Sequence, residues 1–155
     1  MKIEHWRCQS RYSNLQLNYY NLLGTCHGLG PSGVAHCDTS KGDRDISRNP
    51  AEAPDQINGM MRFQVSGRVE CDDIVFGTEI DQVLNLNARH LINARRGVLD
   101  LFKLNLGKKT ASRNKLEKLL TIWDGTGNTS DLRPFCQVVV YWLRNASNAS
   151  KPLHS

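Results

Sequence analysis

No stretch of this 155-residue chain approaches the ~18 consecutive apolar residues that a membrane-spanning helix requires. The start also lacks the basic-then-apolar segment that directs export, which points to the cytoplasm. Cysteine is present in an odd number, five, at irregular spacing: Cys8, Cys26, Cys37, Cys71 and Cys136. Without an export signal such a set does not read as a disulfide framework, and metal binding or plain burial is what remains. For the same reason the Asn-x-Ser/Thr triplets at Asn128, Asn145 and Asn148 are expected to be chance matches. A hydrophobic content of 39% with 23% charged residues describes an ordinary soluble globular chain, long enough for one domain with a real core. The net charge of +5 permits contact with phosphate backbones without requiring it.

Turn formers dominate residues 1–50. The compact apolar element there, "YYNLL" at 19–23, leads into the Gly-rich stretch "GTCHGLGPSGVAHCDTSKGD", which reads as a site built from loops. Residues 51–59, "AEAPDQING", read as a connector. In "MRFQVSGRVECDD" residues alternate on either side of Ser66-Gly67, which predicts a β-hairpin. From Ile80 the period becomes helical. Ile80, Val83, Leu84, Leu91, Val98, Leu99 and Phe102 share a stripe, with Asn85 or Asn87 placed to cap a break and Arg89, Arg95, Arg96 and Lys103 on the exposed side.

A second helix is expected behind a Ser112 N-cap, with Leu116, Leu119, Leu120 and Trp123 at i, i+3, i+4 and i+7. Phe135 to Leu143, behind Pro134, fits a third helix or a buried strand. These Leu, Val and Trp residues are core before anything else. Three regions result: 1–76 with the polar motifs and the hairpin, a helical 77–146, and a polar tail at 147–155 expected to be disordered.

The first segment carries Glu4-His5, then Asn21 before Leu-Leu, then Cys37-Asp38-x-x-Lys41-Gly42. Singly, each has a bland origin as a cap, a turn or a solvated terminus. The joint order acid-His, Asn-Leu, Cys-Asp-x-x-Lys-Gly within about 40 residues is hard to reach by accident. Such residue types suit phosphodiester hydrolysis. An imidazole, with an ordinary pKa of about 6.5, accepts a proton from water near neutral pH. A side-chain amide can fix its tautomer. Carboxylates hold a hard divalent ion such as Mg²⁺ or Mn²⁺ against the charge that builds on the phosphoryl oxygens.

At these residues, "IEHWRCQSRY…YYNLLGTC…HCDTSKGD", the sequence resembles the HNH endonucleases. The likeness is nearest to the retron-associated and Septu-type HNH nucleases of bacterial anti-phage defence, and extends through "ISRNPAE" and "VLNLNARHLINARR" to cover about residues 2–105. The resemblance implies an α+β fold with a ββα-metal motif, a small hairpin and a helical C-terminal half. It implies His5 as general base, Asn21 as the residue orienting it, Glu4 and Asp38 as metal ligands, and Arg7 and Lys41 as phosphate contacts. Nucleic acid, DNA foremost, is the implied partner, together with an ATPase encoded beside the nuclease.

Family members carry a Cys-x-x-Cys before the Asp-His, which with two later cysteines builds a structural zinc knot. Cys26 and Cys37 match the later pair, and the earlier pair has no counterpart. A start downstream of the true one, a fragment, or a site rebuilt with Cys8, His27 or His36 would each account for this, the first being the expectation. Glu for the family's Asp at position 4 and Asp for its Asn at position 38 keep an oxygen donor in place. The alternatives to a nuclease are a non-catalytic nucleic-acid or protein-binding module on the same scaffold, and a small zinc-stabilised structural protein.

Overall fold

The computed structural model describes residues 2–52, 54–107, 112–127 and 132–149; the triplet at Asn128 and the tail from 150 lie outside the described residues. The fold is mixed α+β. In chain order it forms β1 (Lys2–His5), β2 (Leu22–Thr25), α1 (Cys37–Lys41), α2 (Pro54–Met60), β3 (Met61–Phe63), β4 (Val69–Cys71), α3 (Ile74–Gln82), α4 (Arg89–Leu106), α5 (Arg113–Trp123) and α6 (Cys136–Ala149). β1 and β2 make one two-stranded sheet, β3 and β4 the other. No helix among the described residues is long and apolar enough to cross a membrane.

Two compact units divide the chain where one domain was expected: Met1–Arg62 with Val69–Ile92, and Phe63–Arg68 with Asn93–Ser155. The expected regions change at residue 76, within α3, and these units change within α4. α3, with Phe76 and Ile80 buried, belongs to the first unit, and the division falls within the continuous helix α4, where no change of period marks it.

In the first unit β1 and β2 are antiparallel, with Glu4 opposite Leu23 and His5 opposite Leu22. The 3₁₀ turn Tyr19–Asn21 leads into β2, and its tyrosines are exposed rather than part of an apolar element (80% and 79%). Residues 54–60 form a helix where a connector was expected. Proline breaks helices internally yet is favoured at their first position, and α2 starts on Pro54. α3 is capped by Asp73, whose carboxylate accepts from the Phe76 N–H at 3.1 Å. The break predicted at Asn85 and Asn87 occurs: Asn85 has φ 49°, and Asn87 ties to the backbone of Val69 through both its amide atoms.

The second unit is helical. Leu116 and Trp123 of α5 pack with Phe102 of α4 and with Cys136, Val139, Val140 and Leu143 of α6, while Leu119 and Leu120 are partly buried against them, as the spacing predicted. α6 resolves the helix-or-strand ambiguity as a helix and continues through residues 147–149, which were expected to begin a disordered tail. Ser112 occupies the N-cap of α5 through its backbone carbonyl, with no side-chain cap bond. Arg95 departs from the exposed face assigned to it. It is 6% exposed, and its Nε donates to the Gly67 carbonyl at 2.6 Å, a partner far away in sequence.

Candidate active site

β1 places Lys2 and Glu4 on one face of the strand, as its two-residue period requires. α1 brings Asp38 to the same place. The Lys2 ammonium lies 2.7 Å from Glu4 Oε1 and 3.0 Å from Asp38 Oδ2, so two carboxylates 34 positions apart converge on one cation. Glu4 first, then Asp38, hold the Lys2 ammonium above its ordinary pKa. Around them is a cavity of about 320 Å³ lined by Glu4, His5, Cys8, Gln9, Ser10, Asp38, Lys41, Gly42 and Asp43. The ammonium lies between the two carboxylates, whose oxygens are donors of the hard type that Mg²⁺ or Mn²⁺ prefers.

His5 ends β1 and borders the cavity. Its Nε2 lies 2.9 Å from the Gln16 carbonyl and 3.2 Å from the Gln9 side-chain amide. A carbonyl can only accept and an amide nitrogen can only donate, so the two contacts call for opposite states of Nε2; the tautomer that satisfies the shorter one, to Gln16, carries its proton on Nε2 and leaves Nδ1 with the lone pair.

Asn21 was expected to orient the histidine ring directly. It sits instead beneath the loop that follows β1, 4% exposed. Its Oδ1 accepts from the Arg7 N–H at 2.8 Å, and its Nδ2 donates to the carbonyls of Arg7 at 3.1 Å and Leu15 at 3.2 Å. Its own carbonyl accepts from the Trp6 N–H at 2.9 Å. Asn21 thus shapes the loop that carries Gln16, and Gln16 holds the ring.

The two residues read as phosphate contacts are already engaged. Lys41 is 5% exposed and directs its ammonium to the carbonyls of His5 and Gly42, both at 3.3 Å. This fastens α1 to the end of β1 while Lys41 still lines the cavity. Arg7 pairs with Asp45 at 3.3 Å and stacks on Trp6, 4.2 Å from the ring centre. Asp45 also accepts from the Tyr12 hydroxyl at 2.9 Å. Burial pushes the Asp45 carboxyl up, but Tyr12, Arg7 and Arg11 together outweigh it and hold it below its ordinary range.

Cys26 and Cys37 do come together, with His36 as a third member: one ligand atom from each lies within 4.8 Å of the others. Cys8, at 5% exposure, lines the cavity beside Glu4 and Asp38 instead, and neither it nor His27 joins this group. Burial, helped by neighbouring His90, holds the His36 imidazole below its ordinary pKa. Cys136 is buried as expected, its thiol pushed up by desolvation, while Cys71 is only partly buried.

Sequence reasoning passed over Lys2 and Gln16. The first was readable, since residues i and i+2 share a face of a strand. The second was not, because a backbone carbonyl has no sequence signature. No family model, curated protein or solved structure matches the chain.

Proposed function

We propose that the chain is a metal-dependent endonuclease of the HNH type, hydrolysing phosphodiester bonds in nucleic acid, DNA foremost. In this reading His5 is the general base, and Glu4 and Asp38 hold one Mg²⁺ or Mn²⁺ ion. The observation that carries the reading is the convergence of the Glu4 and Asp38 carboxylates on a single cation beside His5. The strand–strand–helix order of β1, β2 and α1 and the resemblance over about residues 2–105 support it. The defence setting and the neighbouring ATPase belong to the same proposal and rest on the resemblance.

His5 accepts the proton of the attacking water at Nδ1, while the Gln16 carbonyl holds the Nε2 proton and so fixes the tautomer. Asn21 keeps that loop in shape by satisfying three backbone groups. Lys41 ties α1 to the His5 carbonyl, which keeps Asp38 in register with Glu4. A bound divalent ion would supply positive charge for the phosphoryl oxygens and the departing oxygen. Lys2 must leave the two carboxylates before such an ion binds, and it is then free to meet a phosphate.

A non-catalytic binding module on the same scaffold is the second reading. The occupancy of the carboxylate pair by Lys2 favours it. Relaxation of supercoiled plasmid in Mg²⁺ or Mn²⁺ separates the two, using the wild-type chain, Glu4→Gln and Asp38→Asn. The nuclease reading expects nicking by the wild type alone. Retention of DNA without cleavage in either ion supports the binding module.

A further inference from the structure

Two sulfurs in the first unit address one imidazole nitrogen. Cys26 Sγ lies 3.7 Å from His36 Nδ1, and Cys37 Sγ lies 3.2 Å from the same atom. A neutral imidazole nitrogen has one in-plane lone pair, so it accepts from a single thiol at a time. A cation bound by all three would engage both sulfurs and the nitrogen at once. Zinc bonds of about 2.3 Å to sulfur and about 2.0–2.1 Å to nitrogen, at tetrahedral angles, place sulfur and nitrogen ligands roughly 3.6 Å apart. The two contacts bracket that separation.

The backbone is built to bring the three together. Cys26 directly follows β2 and Cys37 opens α1, so the connecting segment must fold back within ten residues. It does so through an antiparallel bridge between Leu29 and Ala35 and a bond from the His36 N–H to the Gly28 carbonyl at 2.8 Å. Gly28 has φ +68°, and a Cβ there would come within 2.8 Å of the His36 carbonyl and nearer still to Thr39. Cys37 itself takes φ 51°, a conformation costly for a residue with a side chain, and its N–H is held by the Leu84 carbonyl at 2.7 Å. Asn85, also at positive φ, donates to the Ala35 carbonyl at 2.8 Å. The unfavourable backbone at Cys37 is thus held from outside, which fixes its side chain beside His36.

We infer that Cys26, His36 and Cys37 form a zinc site of two thiolates and one imidazole, with its fourth position toward solvent on the side of the exposed Cys26. This differs from the four-thiolate knot that the resemblance implied. His36 replaces a missing thiolate, and His90, whose ring centre is 5.0 Å from that of His36, packs behind the ligand. Thiolate and imidazole donors select zinc over the hard ions proposed for the carboxylate pair. The ion would join the end of β2 to the first residue of α1, one position before Asp38. The inference does not rest on the nuclease reading, because its readout involves neither nucleic acid nor magnesium.

The test is metal content and cobalt substitution in the whole chain. Purified with Zn²⁺ and passed through gel filtration, the protein is expected to retain one equivalent. Replacing zinc with Co²⁺ is expected to give near-ultraviolet sulfur-to-cobalt absorption, reduced to about half in Cys26→Ser, where one of two thiolates remains. His36→Gln removes a ligand itself and is expected to lower zinc affinity by more than the roughly tenfold that loss of an outer-shell partner costs, while His27→Gln leaves stoichiometry and spectrum unchanged. Because Cys26 is exposed, its variant keeps the test open should the buried His36 variant fail to fold. A chain that retains no zinc, or a cobalt spectrum indifferent to Cys26→Ser, overturns the inference.

Discussion

Replacing Asn21 tests whether the loop between β1 and β2 is held as described. In Asn21→Ala three hydrogen bonds to backbone groups disappear: Arg7 N–H, Arg7 carbonyl and Leu15 carbonyl. Each is worth about 0.5–1.5 kcal/mol net in a folded protein. The expected loss is therefore about 3 kcal/mol, within bounds of roughly 1.5 and 4.5 kcal/mol. Asn21→Asp is the sharper variant. It keeps the acceptor for Arg7 N–H but turns a negatively charged oxygen toward two carbonyls, so it should destabilise at least as much as alanine. Urea denaturation reads the global loss, and hydrogen exchange at the Arg7 amide reads the local one. Stability within about 0.5 kcal/mol of wild type in Asn21→Ala would refute the argument. Lost nuclease activity with unchanged stability would instead return Asn21 to the ring-orienting role expected from the sequence.

Leu143→Ala, at 1% exposure in the core of the second unit, should cost about 2–5 kcal/mol by calorimetry or denaturation. Leu104→Ala, at 77% exposure, should stay within about 0.5 kcal/mol, and equal effects would contradict the assigned core. Arg48 donates to Asp73 Oδ2 from Nε at 3.2 Å and holds that carboxyl below its ordinary range. The unfolded chain therefore takes up the proton first as pH falls. The contribution is complete above about pH 4 and is lost as pH drops through the lowered folded value. Asp73→Asn keeps the cap oxygen and should flatten this acid limb of the stability profile, and an unchanged slope would count against the pair. Lys2→Met removes the ammonium that competes for Glu4 and Asp38, so Mn²⁺ affinity in an electron-paramagnetic-resonance titration should rise. That gain should vanish in a Glu4→Gln background; a gain that survives there would place the ion elsewhere.

Local patterns were legible wherever one period governed one face. The four apolar positions of α5 predicted which side is buried, and the alternation around Ser66-Gly67 predicted β3 and β4. The pairing of Glu4 with Asp38 was implied by the family resemblance rather than by a period. What escaped depended on partners far along the chain or on the backbone. Arg95 looked like one more exposed cation of α4 because nothing local reveals the Gly67 carbonyl that receives it. Lys41 looked available to a phosphate because its two carbonyl partners have no sequence signature. α2 was hidden by Pro, Asp, Asn and Gly, turn formers that a helix also uses at its start and end. His36 entered only as one of three candidate replacement ligands, and the structure groups it, rather than Cys8 or His27, with Cys26 and Cys37.

The most direct measurement of the central claim is single-turnover nicking of supercoiled plasmid in Mn²⁺ by the wild-type chain and by His5→Ala, with DNA binding measured alongside. Removal of a general base costs typically 10²–10⁴-fold in rate. The account predicts a loss of that size in His5→Ala with binding retained, and partial recovery on adding free imidazole. Cleavage by His5→Ala at the wild-type rate would contradict it.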